Sequence, residues 1–345
     1  MKLLVATGKD MFFGQSRKPW VSLNTQRFLS CLADIGIDCE AWDIHRLAHQ
    51  AASTEGCDIF YTFSQREHLR HYIATVMLQL SRHNRIIPSA GLLLSHENKG
   101  WAELLRKKLG ILEPKSWFLS DAANWEELDL SWPLVLKTTS GTNSRGVWLC
   151  RDKDELSRRI RMLSQPLTLR QRLDFLRRLY LRKGRSYPGY PDFDPAADAR
   201  QWLEYMTPGA CFVLQEFIPG LDCDYRVIAV QERFYTMKRL TGKGDFRASG
   251  TKKFVFDFTP PDGLLDYARD TWKRFDTPFL AMDIGHADGR NYLFEFQASH
   301  FGTSAIVLSH GCYEFSGAGW SFVPGSSNLE ETLAHGLARY LGKEA

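Results

Sequence analysis

The sequence predicts an α/β domain at the N-terminal end followed by an α+β half built mainly of antiparallel strands. Three observations carry that prediction. Apolar strands alternate with helix-period stretches over the first 95 residues, closely spaced strands fill the final third, and a glycine-bearing hairpin with a lysine at its mouth stands between them.

The opening is strand, helix, strand. KLLVAT (2–7) reads as a short buried strand, and a helical stretch from Asn24 to Ile35 passes through Gly36 into a strand near Ile37–Trp42. A strand at Asp58–Thr62, a helix at Glu67–Ser81 and a strand at Arg85–Pro88 complete a small domain over residues 1–95. Next comes SHENKGWAELLRKKLGILEP, which places Leu104, Leu105 and Leu109 on one helical face with Gly110 as the stop. Trp132–Lys137 and Val147–Cys150 then read as two strands around the loop TTSGTNSRG. The middle segment is 96–210, with a basic insert at about 158–200, and the last is 211–345. In that last part the strands CFVLQEFI, YRVIAVQ, RFYTMKRL, KKFVFDF, FLAMDIG and YLFEFQ surround the helix LLDYARDTWKRF, and LEETLAHGLARYL closes the chain.

Composition narrows the class. A chain of 345 residues with 44% hydrophobic and 24% charged content has enough apolar material for two or three subdomains. No uninterrupted apolar run approaches the roughly 18 residues of a membrane span, and MKLLVATGKD lacks the layout of a signal peptide, so the expected location is the cytoplasm. Seven scattered cysteines without a C-x-x-C pair point to small core residues rather than to zinc or a redox dithiol. A net charge of +4 disfavours nucleic acid and leaves homo-oligomers open. Residues 158–185 nevertheless hold ten Lys or Arg against the single acid Asp174. Two readings stand for this run: a solvated helix face, or a docking surface for an acidic partner.

Chemistry concentrates in three places. The loop after Lys137 is small and glycine-bearing, so its backbone N–H groups can approach phosphate oxygens while the lysine supplies a point charge; an ordinary hairpin with a surface lysine is the competing reading. In QEFIPGLDCDYR the strand breaks at Pro219-Gly220, which frees backbone groups beside Phe217 and Ile218 for a planar base, or simply makes a turn. Asp283 and Glu295 end apolar strand segments, where a carboxylate needs a cation or a donor; divalent metal and paired arginines are the two options. Glu295 and Gln297 share a strand face. Asp283 comes opposite Glu295 if the turn Asp288-Gly289-Arg290 has three residues, whereas a two-residue turn places it opposite Phe294.

Taken in order, these segments resemble the ATP-grasp fold, and within it the RimK-like branch of amino-acid and peptide ligases. The matching segments are ENK (97–99) opening a helix that ends LGILEP, PLVLKTTSGTNSRGV (133–147), QEFIPGLDCDYRVIAV (215–230), MKRLTGKGDFR (237–247) and MDI…YLFEFQ (282–297). The resemblance implies an α/β domain followed by an α+β ATP-grasp fold whose two lobes clasp ATP. Lys99 and Lys137 would then meet the phosphates, and the loop with Ser140, Gly141, Ser144 and Gly146 would close over them. Gln215, Glu216, Phe217 and Ile218 would hold adenine, with Asp224, or alternatively Asp222, on the ribose. Arg247 would face the phosphates and the reacting carboxylate, supported by Arg226 and Arg239. Asp283, Glu295 and Gln297 would hold two magnesium ions, or manganese in their place.

The implied reaction joins a carboxylate of an amino acid, peptide or protein to an amine through an acyl phosphate. The basic run 158–185 would then hold an acidic segment of the substrate. A kinase-type phosphotransferase and a non-catalytic nucleotide-binding module are the alternatives on the same fold. Two departures from the family pattern stand out: Gln297 replaces the usual Asn, and FRASG replaces an FRSN-like run, which leaves Ser249 where an Asn is expected. Isolated His300 and His310 read as surface or core residues.

Overall fold

Four short apolar runs, Cys39–Asp43, Leu3–Thr7, Asp58–Phe60 and Arg85–Ile87, pair in that spatial order as a parallel sheet. The connections are the helices Thr25–Asp34, Ile44–His49 and Glu67–Leu80, the first of which is capped by Asn24 accepting from the Arg27 N–H. The α/β opening thus forms as its periodicity predicts. The computed structural model describes residues 2–11, 23–61, 67–120, 125–140, 146–164, 166–181, 194–207, 209–242, 246–247, 253–299 and 301–343. Gly141, Ser144, Ser249, His300 and residues 182–193 of the basic insert lie outside them.

The chain divides into two units, one of Met1–Lys115, Ser140–Arg145 and Ile218–Ala345, the other of Ser116–Thr139 and Gly146–Phe217. In the first, a seven-stranded antiparallel sheet follows the parallel one. Its order is Arg290–Gln297, Phe279–Ala287, Cys223–Val230, Arg233–Leu240, Gly311–Ser316 and Gly319–Pro324, with Phe254–Val255 added beside Arg233–Leu240. The two sheets share one core. Phe28, Phe60, Ile228, Phe279 and Leu333 of the closing helix Leu329–Tyr340 are all fully buried in a single cluster, and Phe60 meets Phe279 edge-on at 6.0 Å.

The hairpin Gly311–Pro324 is held together by paired rings. Tyr313 and Phe315 alternate on one strand, and their rings meet Phe322 and Trp320 on the other at 5.1 and 5.3 Å.

The second unit holds the sheet Ser116–Ser120, Cys211–Glu216, Leu134–Thr138, Val147–Cys150. Cys211–Glu216, grouped by the sequence with the final third, therefore pairs with the Lys137 hairpin. Three helices follow the hairpin: Lys153–Leu163, Leu169–Leu181 and Pro195–Met206.

The helix Lys99–Lys108 departs most from its expected face. Leu104 is 54% exposed, and the buried residues are Gly100, Glu103 and Arg106. Arg106, 2% exposed, donates from Nε and Nη2 to Glu103 Oε2 at 3.1 and 2.8 Å and from Nη1 and Nη2 to the carbonyls of Glu113 and Pro114, both at 2.8 Å. An arginine can turn inward because its donors are matched one by one. It ties the helix that begins at Lys99 to the segment that leaves the unit. Arg106→Ala strands a buried carboxylate and two carbonyls, so the expected loss is about 3–5 kcal/mol, read as a fall in thermal midpoint. Removing Glu103 as well, with Arg106→Met and Glu103→Leu, should recover part of it; an unchanged midpoint in the single variant would refute the account.

Candidate functional site

The centre of the first unit's sheet carries a cluster of four charges on three adjacent strands. Alternation along Cys223–Val230 puts Asp224 and Arg226 on one face, and register places Arg226 opposite Asp283 and Asp224 opposite Arg239. Arg226 forks Asp283 through Nε–Oδ1 at 2.8 Å and Nη2–Oδ2 at 2.9 Å. Arg239 forks Asp224 with both contacts at 2.6 Å and reaches Asp283 Oδ2 from Nη2 at 2.7 Å. The four are nearly closed off from solvent, with Arg239 and Asp283 at 5% and 4% exposure.

Electrostatics separate the two aspartates. Burial pushes Asp283 upward, but two guanidinium groups outweigh it and hold the carboxyl at about 2. Asp224 has one guanidinium, and burial together with the nearby Asp283 charge moves it up to about 6. Arg239, between the two carboxylates, is raised well above its ordinary value despite burial.

Glu295 reaches this cluster by a route the sequence did not announce. The turn is the two-residue Asp288-Gly289, with φ of 51° and 69°, the left-handed pair that a tight hairpin needs. Ala287 pairs with Arg290, and the three-residue turn is thereby corrected. A bulge then intervenes between Asp283 and Ile284: Ile284 pairs with Leu293, Asp283 with Glu295, and Phe294 is the extra residue. Its ring lies over Gly285, where a Cβ would fall 2.4 Å from Phe294 Cε2. The pairing Asp283–Glu295 holds, by a bulge in place of a longer turn. Gln297 lies two residues on and donates from Nε2 to Glu295 Oε1 at 3.0 Å.

Lys99 opens its helix behind the cap Asn98, which accepts from the Gly100 and Trp101 N–H groups at 2.8 and 3.2 Å. Burial lowers the Lys99 ammonium, and the Glu295 charge partly offsets this, so the structure brings Lys99 into the electrostatic reach of Glu295. Asp222 is exposed, and its carbonyl accepts from the N–H and hydroxyl of Thr241, both at 2.9 Å. Arg247 lies 5.7 Å over the Phe246 ring. Ile218 is buried. Two residues past Gln297, beyond the end of the strand, Ser299 is fully buried and its hydroxyl has no hydrogen-bond partner among the described residues. No local signal in the sequence marks it, because Ser299 lies in a bend past the strand end.

In the second unit, Lys137 lies one residue before the end of the strand Leu134–Thr138 and donates from Nζ to Gln215 Oε1 at 2.6 Å. Gln215 is 2% exposed, and its Nε2 has no hydrogen-bond partner among the described residues. Gly146 closes the hairpin, its carbonyl accepting from the Thr138 N–H at 2.8 Å; a Cβ there would fall 2.1 Å from Thr138 Oγ1, so only glycine fits. Ser140 is exposed, and Glu216 and Phe217 follow Gln215 at the end of the unit. Among the described residues no group of three or more His, Cys, Asp and Glu gathers, and no helix is long and apolar enough to cross a membrane.

Asp283 supplies a test of the cluster. Its folded-state pKa lies below the ordinary carboxylate value, so the stability it contributes is fully present above about pH 4 and is lost as pH falls toward 2. Asp283→Asn leaves two buried guanidinium groups undercompensated and should lower the thermal midpoint at pH 7, with a gap from the unmodified chain that closes between about pH 4 and pH 2. A gap independent of pH would refute the assignment.

No protein-family model and no curated protein matches the sequence. Solved structures do. The chain superimposes on an ATP-grasp RimK-domain protein of Sphaerobacter thermophilus DSM 20745 with TM-score 0.51 and 11% identity, covering 88% of this chain and 94% of the other. It superimposes on D-cycloserine synthetase DcsG with TM-score 0.52 and 12% identity over 99% and 100% of the two chains. For N5-carboxyaminoimidazole ribonucleotide synthetase of Thermus thermophilus the values are 0.52, 13%, 100% and 79%. The mixed α/β architecture, with its antiparallel sheet and separate lysine-bearing hairpin unit, is the ATP-grasp fold.

Proposed function

We propose that the protein is an ATP-dependent carboxylate–amine ligase acting on an amino acid, peptide or protein end. The observation that carries this reading is the cross-strand pair Asp283–Glu295 with Gln297 beside it, held on an ATP-grasp sheet by a bulge that has no evident purpose other than this pairing. On this reading residues 1–95 form the domain preceding the ATP-grasp lobes.

The donor set fits hard divalent cations. Asp283 Oδ1 receives one N–H among the described residues, which leaves it a lone pair for a cation, Glu295 is exposed, and turning over the Gln297 amide exchanges its N–H for an oxygen at the same place. Asp283, Glu295 and Gln297 would hold magnesium, which when bound neutralises phosphate charge. The extra methylene of Gln297 is accommodated because the side chain already reaches Glu295.

The other roles follow from the same residues. Gln215 Nε2, buried without an acceptor among the described residues, suits a ring nitrogen of adenine, alongside Glu216, Phe217 and Ile218. Asp224 is held in the Arg239 fork, so Asp222, exposed just before the strand, is the better ribose partner. Arg226 and Arg239 commit Nε and Nη2 to the aspartates and thereby orient Asp283. Lys99, Lys137 and Arg247 are the cations that would face phosphate, with Ser140, Gly141, Ser144 and Gly146 in the covering loop.

In the proposed reaction the substrate carboxylate oxygen attacks the γ-phosphorus and the bond to the β-phosphate oxygen breaks, giving ADP and an acyl phosphate. The amine then adds to the acyl carbon, the C–O bond to phosphate breaks, and the nitrogen loses a proton. Fixed cations act by electrostatic stabilisation, and holding carboxylate and amine together supplies up to about 7–11 kcal/mol. The basic insert 158–185 would dock an acidic segment of such a substrate.

Incubation with ATP, magnesium and pooled amino acids or peptides should release ADP and phosphate together with a new mass equal to both substrates less water. Lys137→Ala and Glu295→Gln should each lower kcat/KM about 100-fold or more, and chelation of magnesium should abolish turnover. A stable phosphorylated product would instead establish a kinase, and ADP release no higher than in Lys137→Ala across all pools would refute ligation.

A further inference from the structure

The basic helix Leu169–Leu181 contributes no buried residue to any core. It packs on the helix Pro195–Met206 by one side, through Phe175 stacked on Trp202 at 5.0 Å and Arg178 Nη2 bound to Asp198 at 2.8 Å. The opposite side is apolar and open: Leu169, Leu173, Leu176 and Tyr180 are 74%, 58%, 47% and 68% exposed. Their spacing of four, three and four residues is that of successive d, a, d and a positions in a heptad, and at 3.6 residues per turn the four fall within about 60° of one another.

The flanks of this seam are cationic. In the same heptad frame Arg170 and Arg177 occupy e positions and Arg172 a g position, the places that choose a coiled-coil partner by charge. Arg177 leans on Asp174 at 2.8 Å while staying 62% exposed, and Arg172 donates to the Leu167 carbonyl at 3.1 Å. We infer that this face is a docking seam for a single amphipathic helix with apolar residues at heptad spacing and Asp or Glu on both flanks. A second copy of this chain fits poorly, because in either orientation its own e and g arginines would meet these. A lipid surface fits poorly as well, because a helix lying in a membrane interface buries a continuous apolar sector of about 100° or more, whereas here the exposed Arg170 and Arg177 stand between the seam and the further exposed Leu181.

The inference rests on the ligase reading only for naming the docked helix as a segment of the substrate, and its test uses no ATP. A fluorescent three-heptad peptide with Leu at a and d and Glu at e and g is titrated with the full chain and followed by anisotropy, beside a twin with Lys in place of Glu. Saturable binding of the Glu peptide alone is expected. Leu173→Ser with Leu176→Ser, both at exposed positions, should weaken it about tenfold or more, and Arg172→Glu with Arg177→Glu should switch preference to the Lys peptide. Circular dichroism should show both variants folded. The inference is overturned by no saturable binding up to about 1 mM, by equal binding of the two peptides, or by indifference to the leucine changes. Leucine-dependent capture by phosphatidylserine vesicles without peptide binding would make the face a membrane surface, and leucine-dependent dimerisation in sedimentation would assign it to a second copy; either also overturns it.

Discussion

Everything at the candidate site depends on the charge cluster of Asp224, Arg226, Arg239 and Asp283. It sits across three central strands, and each of the two forks joins residues directly opposite in the ladder. Buried ions are costly one at a time and tolerable only when their donors and acceptors match. Two carboxylates and two guanidinium groups meet that condition. A one-residue slip of any of the three strands would turn its charged side chains to the other face and leave their partners bare in the interior. The cluster therefore fixes the register of the sheet as well as the orientation of Asp283.

The neighbouring hairpin shows how that register extends to Glu295. A two-residue turn of left-handed Asp288 and Gly289 gives a tight return, yet without compensation it would bring Phe294 opposite Asp283. The bulge takes up one residue just where the acids begin, and Gly285 makes room for the displaced ring. Turn chemistry and site geometry place different demands on the chain, and the bulge reconciles them.

Much of this was legible in the sequence because it follows local rules. The parallel sheet and its helices appear where apolar periodicity places them, and Asn24, Asn98 and Gly110 stand at helix ends as capping chemistry requires. What escaped is what depends on partners that periodicity does not name. The inward turn of Arg106 is set by carbonyls at Glu113 and Pro114, and helical periodicity counts any arginine as outward. The membership of Cys211–Glu216 in the hairpin sheet is a matter of pairing, which periodicity does not address. The bulge was hidden because alternation continues on both sides of it. At the site, charge and spacing singled out Asp283, Glu295 and Gln297, but nothing local reveals that Asp283 answers to two arginines and Asp224 to one.

The distribution of charge bears on how a nucleotide would be received. Around the sheet the acids Asp224, Asp283 and Glu295 stand against the bases Arg226, Arg239 and Lys99, three of each, and the closest contacts are made within the protein. A triphosphate arriving at such a neutral ensemble finds little uncommitted positive charge there. On the proposed reading its charge is met largely by cations it brings with it, which Glu295 and Gln297 would hold. Within the second unit Lys137 donates to Gln215, so a phosphate contact made by this lysine would exchange an amide oxygen for a phosphate oxygen. On the same reading the carboxylate pair would take a metal ion without surrendering its arginines, since the described guanidinium contacts occupy only part of the Asp283 lone-pair capacity.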